Sequence, residues 1–346
     1  MRRAAAVALA VAAAALLPPG GAAAALRLER VGSFAQPVYV TGPPGAGGRL
    51  FVGERRGRVR IVRGGRKLRL PFLDIHREVL IRSRYETVDQ RGLLSIAFAP
   101  DYRTSRRLYV FFVDRRDRIR VDELRRSRSD PDRADKTSRR TLFTVPGAGR
   151  VHHGGQLAFG RDGALYASVG FTNEEDAPQD PASLRGKIVR IDVDAPDPRP
   201  EVWATGLRNP YRFSFAPDGR MVVADVGGDE AEEITVLDGA GANLGWPLYE
   251  GDRRLEDGDV AGYVPPAITH RHAAGWCSII GGYVVDGRYL YGDLCSGDIH
   301  AARLDATPPT TRRLRLSVPY LVSFGTDTRD RLYAVSFRGP VWRIAG

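Results

Sequence analysis

Two histidines, His152 and His153, stand together against Gly154-Gly155. Imidazole titrates near neutrality, so a histidine at such a turn is suited to take a proton from a hydroxyl; the pair could also cap backbone. Arg208-Asn209-Pro210 forms a second group. A permanent guanidinium stabilises charge developing on an oxygen, or else holds a loop through carbonyls. Gln90 adds a neutral hydrogen-bonding side chain ahead of Arg91-Gly92. Gly227-Gly228 reads as a tight turn. Glu232-Glu233 follows, as a solvated acidic pair. Cys277 and Cys295 are the only cysteines. His270 and His272 lie near them, but the combined spacing matches no regular zinc pattern.

Groups so far apart in sequence need a scaffold that gathers them. The 39 glycines and 23 prolines break the chain into short pieces, which favours many strands joined by turns. One unit recurs: a hydrophobic-x-aromatic strand, a turn with Asp or Gly, and a second hydrophobic strand. Its clearest copies are Leu157-Ala158-Phe159 through Asp162-Gly163 to Leu165-Tyr166, and Phe213-Ser214-Phe215 through Asp218-Gly219 to Met221-Val222. Other copies fall at 38–52, 96–110, 282–291 and 321–335. A companion pattern, Gly-x-hydrophobic-x-Arg-hydrophobic, reads as an outer strand at 186–191 and 339–344, with shorter or looser forms at 57–61 and 297–304. Six such units predict an all-β, six-bladed β-propeller, because single hairpins cannot bury their faces but radially packed blades can. Ring closure is expected between residues 26–31 and 341–344. Inter-blade loops then converge on one mouth of the channel, where Gln90, His152 and Arg208 can meet around a ligand.

Several connecting segments are more specific than the repeat. They are Gln90-Arg91-Gly92-Leu93-Leu94-Ser95, His152-His153-Gly154-Gly155-Gln156-Leu157, Thr205-Gly206-Leu207-Arg208-Asn209-Pro210, Ala224-Asp225-Val226-Gly227-Gly228, Asn243-Leu244-Gly245-Trp246-Pro247 and Ile280-Gly281-Gly282-Tyr283. In this order the chain resembles the soluble glucose/sorbosone dehydrogenase family, secreted propellers of which many use pyrroloquinoline quinone (PQQ) with calcium. The resemblance implies a quinoprotein that oxidises an aldose to its lactone, passing hydride to PQQ and electrons to an unidentified acceptor. It makes His152 the general base, with Gln90 and Arg208 beside it as catalytic residues. Arg208, Asn209 and Gln90 would contact the cofactor. Gly227 and Gly228 would give carbonyls to one Ca2+, and Glu233 would sit at a second calcium position whose partner here is Leu244.

The family's pattern has an Asp before the base and a second Asp that orients it; here those positions hold Val151 and Phe171. Loss of an orienting carboxylate removes tautomer control. A Lys and an Arg pair that meet the quinone carboxylates are replaced by Cys295 and by the arginine-free stretch 320–324. The cysteine-bearing segments resemble the branch that includes hedgehog-interacting propellers. That likeness implies an alternative, a non-catalytic propeller binding a glycan or protein. A lactonase reading lacks a central carboxylate cluster, and no sialidase-type Ser-x-Asp-x-Gly-x-Thr-Trp box is present.

Residues 1–25 read as a secretory signal: Arg2-Arg3, a short apolar run and small residues, followed by one domain over 26–346. The apolar run is too short for a transmembrane segment. In an exported chain the lone cysteine pair is expected to form a disulfide. The net charge of +11 suggests an anionic partner. However, the densest basic stretch, 115–140, alternates with acids and reads as a solvated insertion, so no nucleic-acid binding is expected.

Overall fold

The computed structural model describes residues 25–45, 48–83 and 89–346. The predicted signal over 1–25 therefore lies, but for its last residue, outside the described residues. Six blade sheets follow one another along the chain, antiparallel except where Pro200–Thr205 pairs with Ala242–Asn243, and a separate two-stranded ribbon joins Tyr249–Glu250 to Arg253–Arg254. Their first strands are Pro37–Thr41, Leu93–Phe98, Gly154–Phe159, Arg212–Phe215, Ile279–Val285 and Leu321–Thr326, each at a copy of the predicted repeat. Each sheet then steps outward strand by strand, as a propeller blade does. The sixth blade takes its outermost strand from the other end of the chain. Arg27–Ser33 pairs antiparallel with Pro340–Ala345, in the register Arg27↔Ala345 to Ser33↔Pro340, which closes the ring as expected.

The core is divided among the joints. Six apolar clusters each join two neighbouring blades. Phe51, Phe72 and Phe98 interlock edge-to-face between the first and second blades, whereas Tyr289 and Tyr291 fill the joint between the fourth and fifth. Period-two alternation puts one face of each strand into each of two joints, so strands near the middle of a blade, such as Arg107–Val113, are buried on both sides. The channel itself is pinned by a polar hub. Buried Arg212 donates to Ser323 Oγ (2.9 Å) and to the carbonyls of Val38 (2.8 Å) and Leu94 (3.4 Å). Beside it Gln156 Nε2 donates to Tyr39 Oη (2.7 Å), which shares a hydrogen bond with Tyr283 (3.0 Å). Each blade contributes at least one of these groups.

The segment 115–140 is no solvated insertion. It supplies the two outer strands of the second blade, Arg118–Arg126 and Ala134–Pro146. Asp122 and Glu123 are buried there, neutralised by Arg120 (2.7 Å), Arg139 (3.3 Å) and Arg140 (2.7 Å). Alternating charge looked solvated because two of the arginine partners, Arg139 and Arg140, come from the adjacent strand, which a linear reading does not pair with Asp122 and Glu123.

Candidate functional site

The mouth of the channel holds a cavity of about 350 Å³. Its wall includes Gln90, His152, Arg208, Asn209, Gly227, Gly228, Cys277 and Cys295. All of the sequence-predicted site residues except Glu233 are therefore brought to one place. Gln90, His152, Arg208, Asn209 and Cys277 lie in segments leading into the first strand of a blade, whereas Gly227, Gly228 and Cys295 follow a second strand, and several of these segments are fixed by buried carboxylates that accept backbone N–H groups. Asp225 accepts from Arg208 N (2.9 Å) and Asn209 N (2.6 Å). Glu250 accepts from Gly228, Glu230 and Ala231. Asp293 accepts from Cys277, Ser278 and Ser296. Such charge-assisted bonds fix loop geometry where no strand ladder runs.

His152 sits at φ 62°, a left-handed conformation unusual outside glycine. Its strain is held by Gln90 Oε1, which accepts the His152 N–H (2.9 Å), and by Thr172, whose N–H donates to the His152 carbonyl (3.2 Å). Gly170 is obligatory opposite, since a Cβ there would lie 2.1 Å from that carbonyl oxygen. The imidazole stacks on Phe171 at 5.2 Å. Its Nδ1 lies 2.6 Å from Asn173 Oδ1. An amide oxygen only accepts, so Nδ1 carries the proton and Nε2 keeps its lone pair. Burial and, after it, the Arg208 charge lower the His152 pKa to about 4, which leaves the ring neutral at pH 7. Phe171 thus does not leave the base unoriented. Asn173, two residues on, supplies the acceptor; its only sequence signal was a polar side chain in the same loop.

Arg208 is wedged between Phe171 and Trp246, with both ring centroids 5.3 Å from its guanidinium. One of its NH2 groups donates to the Val226 carbonyl (3.1 Å), while Nε–H is buried without a partner. Asn209 Oδ1 accepts from Gly154 N (3.0 Å), tying the base's loop to the arginine's. Gly227 and Gly228 direct their N–H groups to Glu232 (3.4 Å) and Glu250 (2.7 Å). Peptide planarity turns the Gly227 carbonyl away from Glu250. Glu232 and Glu233 are both buried, so the solvated-pair reading does not hold. Glu232 also accepts from Ile279 N (2.8 Å) and lies 2.7 Å from His272 Nε2, whereas Glu233 accepts from Gly251 N away from the cavity wall. The Leu244 side chain is packed in the joint of the third and fourth blades.

Cys277 and Cys295 form the expected disulfide at the rim. Arg55 is a wall residue that sequence reasoning missed. It is fully buried, donates Nε–H to the Arg91 carbonyl (2.7 Å) and lies over Phe337 at 5.8 Å. Its signal was slight, one arginine among many in a Gly53-to-Gly57 turn.

A closed six-bladed ring thus gathers a neutral histidine, an arginine with an unpartnered Nε–H and amide side chains around one cavity. The chain belongs to the Glucose / Sorbosone dehydrogenase family, whose profile matches residues 35–313. It is similar to Hedgehog-interacting protein of Homo sapiens (33% identity over 216 residues, 53% of this chain and 31% of that protein). It is also similar to Aldose sugar dehydrogenase YliI of Escherichia coli K12 (30% over 173 residues, 46% of this chain and 47% of that protein). The chain thus spans about a third to a half of the length of these curated relatives. Among solved structures, the PQQ-bound aldose sugar dehydrogenase of Streptomyces coelicolor superposes with a TM-score of 0.77 at 22% identity, covering 92% of this chain and 97% of that one. The apo soluble aldose sugar dehydrogenase of Escherichia coli gives 0.76 at 22%, covering 92% and 99%. These likenesses carry the propeller fold.

Proposed function

We propose that the chain is an exported aldose dehydrogenase in which His152 takes the proton from the anomeric hydroxyl. The observation that carries this reading is the orientation of His152: Asn173 holds Nδ1–H, and the low pKa keeps Nε2 unprotonated. A base of that kind remains available across neutral pH. Arg208 lies next to it with a buried, unpartnered Nε–H, the sort of donor that a quinone or carboxylate oxygen satisfies. The polar part of the wall therefore fits the reactive end of PQQ, with Arg208, Asn209 and Gln90 holding it. The Gly227 and Gly228 carbonyls are the donors suited to a calcium beside it. When bound, the quinone supplies the two-electron acceptor for the sugar's hydride. The chain's own part is to hold the sugar, keep the base neutral and exclude water with Phe171 and Trp246.

The decisive experiment is calorimetric titration of PQQ with calcium present, followed by dye reduction with a panel of aldoses. Binding with turnover that His152→Ala abolishes supports the dehydrogenase. Chelation should also lower the melting temperature if calcium occupies the Gly227–Gly228 turn. A second reading has its own observation: the wall at Leu294, Cys295, Val322 and Phe337 is only weakly polar, and Arg55 beside it already donates Nε–H to the Arg91 carbonyl. No PQQ binding at high micromolar concentration would favour a propeller that binds a glycan or protein without oxidising it.

A further inference from the structure

We propose that the chain carries a second ligand site, apart from the central cavity, which takes a phosphate or sulfate monoester borne on a small apolar group. The site is a cleft of about 420 Å³ at the joint of the first and second blades, and it shares no wall residue with the central cavity. It stands whether or not the chain oxidises a sugar.

Three stretches of backbone build the cleft. The turns 55–57 and 114–117 each join the second and third strands of their blade, as Gly227-Gly228 does in the fourth, so they open on the same face as the channel mouth. Residues 74–83 run between them. On one side Ile75 N donates to the Gly57 carbonyl (2.8 Å); on the other, Leu80 N donates to that of Val113 (2.9 Å) and Arg115 N to that of Glu78 (3.0 Å). Asp89 holds the far end, accepting from Arg82 N (2.7 Å) and Ser83 N (2.9 Å). Arg56, Arg82 and Arg115 are thereby brought to one wall from three fixed segments.

Charge in the cleft is out of balance. Every acid on these segments is already engaged: Asp74 by Arg58 (3.0 Å) and His76 (2.5 Å), Glu78 by Arg139, Asp114 by Arg118 (2.6 Å) and Asp117 by Arg91 (3.5 Å). Among the described residues, the guanidiniums of Arg82 and Arg115 make no hydrogen bond or ion pair, and that of Arg56 donates only to Gln36 Oε1 (3.3 Å). Three unneutralised guanidiniums around one hollow repel one another. A tetrahedral oxyanion relieves this, because it accepts from several planar forks at once. The floor is apolar, with Val79 buried and Ile81 half-buried, so the group that carries the oxyanion gains from burial there. The volume is that of a small-molecule pocket. Such a site also gives a place to the anionic partner that the net charge of +11 suggests.

The test is calorimetric titration of the full chain with phenyl phosphate, phenyl sulfate and inorganic phosphate at low ionic strength. Phenyl phosphate should bind at least about fivefold more tightly than inorganic phosphate, because its ring covers Val79 and Ile81. Arg82→Gln and Arg115→Gln should each weaken ester binding at least about tenfold, and the double variant should abolish it. Both arginines are exposed, so the melting temperature should not move. Arg116→Gln removes the same charge from an exposed neighbour outside the cleft wall and should leave binding unchanged. Binding of one ester alone identifies the source of the oxyanion, and binding of both admits either; each supports the site. No binding of either ester, inorganic phosphate binding as tightly as the phenyl ester, or binding that survives the double substitution would overturn it. Equal losses in Arg116→Gln would also overturn it, by reducing the effect to net charge.

Discussion

The hydrogen bond between His152 and Asn173 decides which nitrogen of the imidazole carries the proton. Asn173→Ala should therefore lower kcat by at least about tenfold with little change in KM, since a misoriented tautomer impairs proton transfer more than binding. If His152 is the base, kcat/KM should hold from neutrality down to an acid limb near pH 4, not near the 6.5 of free imidazole. A stopped-assay pH profile reads this directly, and a limb at 6.5 would remove His152 from the role. Buried His153 has a pKa likewise lowered to about 4, chiefly by desolvation. In the unfolded chain it gains a proton below about 6.5, and in the folded one only near 4. Its contribution to stability is thus fully present above 6.5 and lost as pH falls toward 4. Chemical unfolding of His153→Leu should show a shallower loss across that window than the unaltered protein.

Among the elements, the inner strands matter as carriers of a shared hub and the loops as bodies pinned by carboxylates. Arg212 joins the first, second, fourth and sixth blades through hydrogen bonds that no other side chain replaces. Arg212→Met keeps the volume but leaves buried carbonyls unpaired, so it should cost about 3 kcal/mol or more in denaturant unfolding. Asp225 acts on the site from the end of the blade's second strand, Met221–Asp225, where it holds the Arg208-Asn209 turn. Burial pushes its pKa up to about 7 despite the N–H groups it accepts. Asp225→Ala should weaken ligand binding by at least about tenfold without touching ligand, because two N–H groups lose their shared acceptor and the arginine its seat.

At the scale of the whole molecule, stability depends on closure. Each joint between blades buries one cluster, and the joint of the sixth and first blades is completed by strands from both ends of the chain. Removing residues through Ser33 should strip the outermost strand from the sixth blade and expose the edge of Pro340–Ala345. A large drop in melting temperature and loss of a single cooperative transition are expected in calorimetry. The disulfide at the cavity rim closes a loop with a sequence separation of 18. Replacing both cysteines by alanine should cost roughly 3 kcal/mol in the chain-entropy picture. Among the described residues, no helix is long and apolar enough to cross a membrane.

The blade count, the inner-strand positions, the closing pair and the disulfide were legible in the sequence. Each depends on local periodicity, a turn residue or a cysteine pair, signals that survive in one dimension. Gln90, His152, Arg208 and Asn209 were legible because glycines and a proline mark the loops that carry them. Asn173, Arg55 and the true place of 115–140 were not. Which acceptor meets a histidine, which arginine among many is buried, and which acid faces which base all depend on contacts between segments distant in sequence. The cavity itself was decided there too, because it arises only when six blades arrange their loops around one axis.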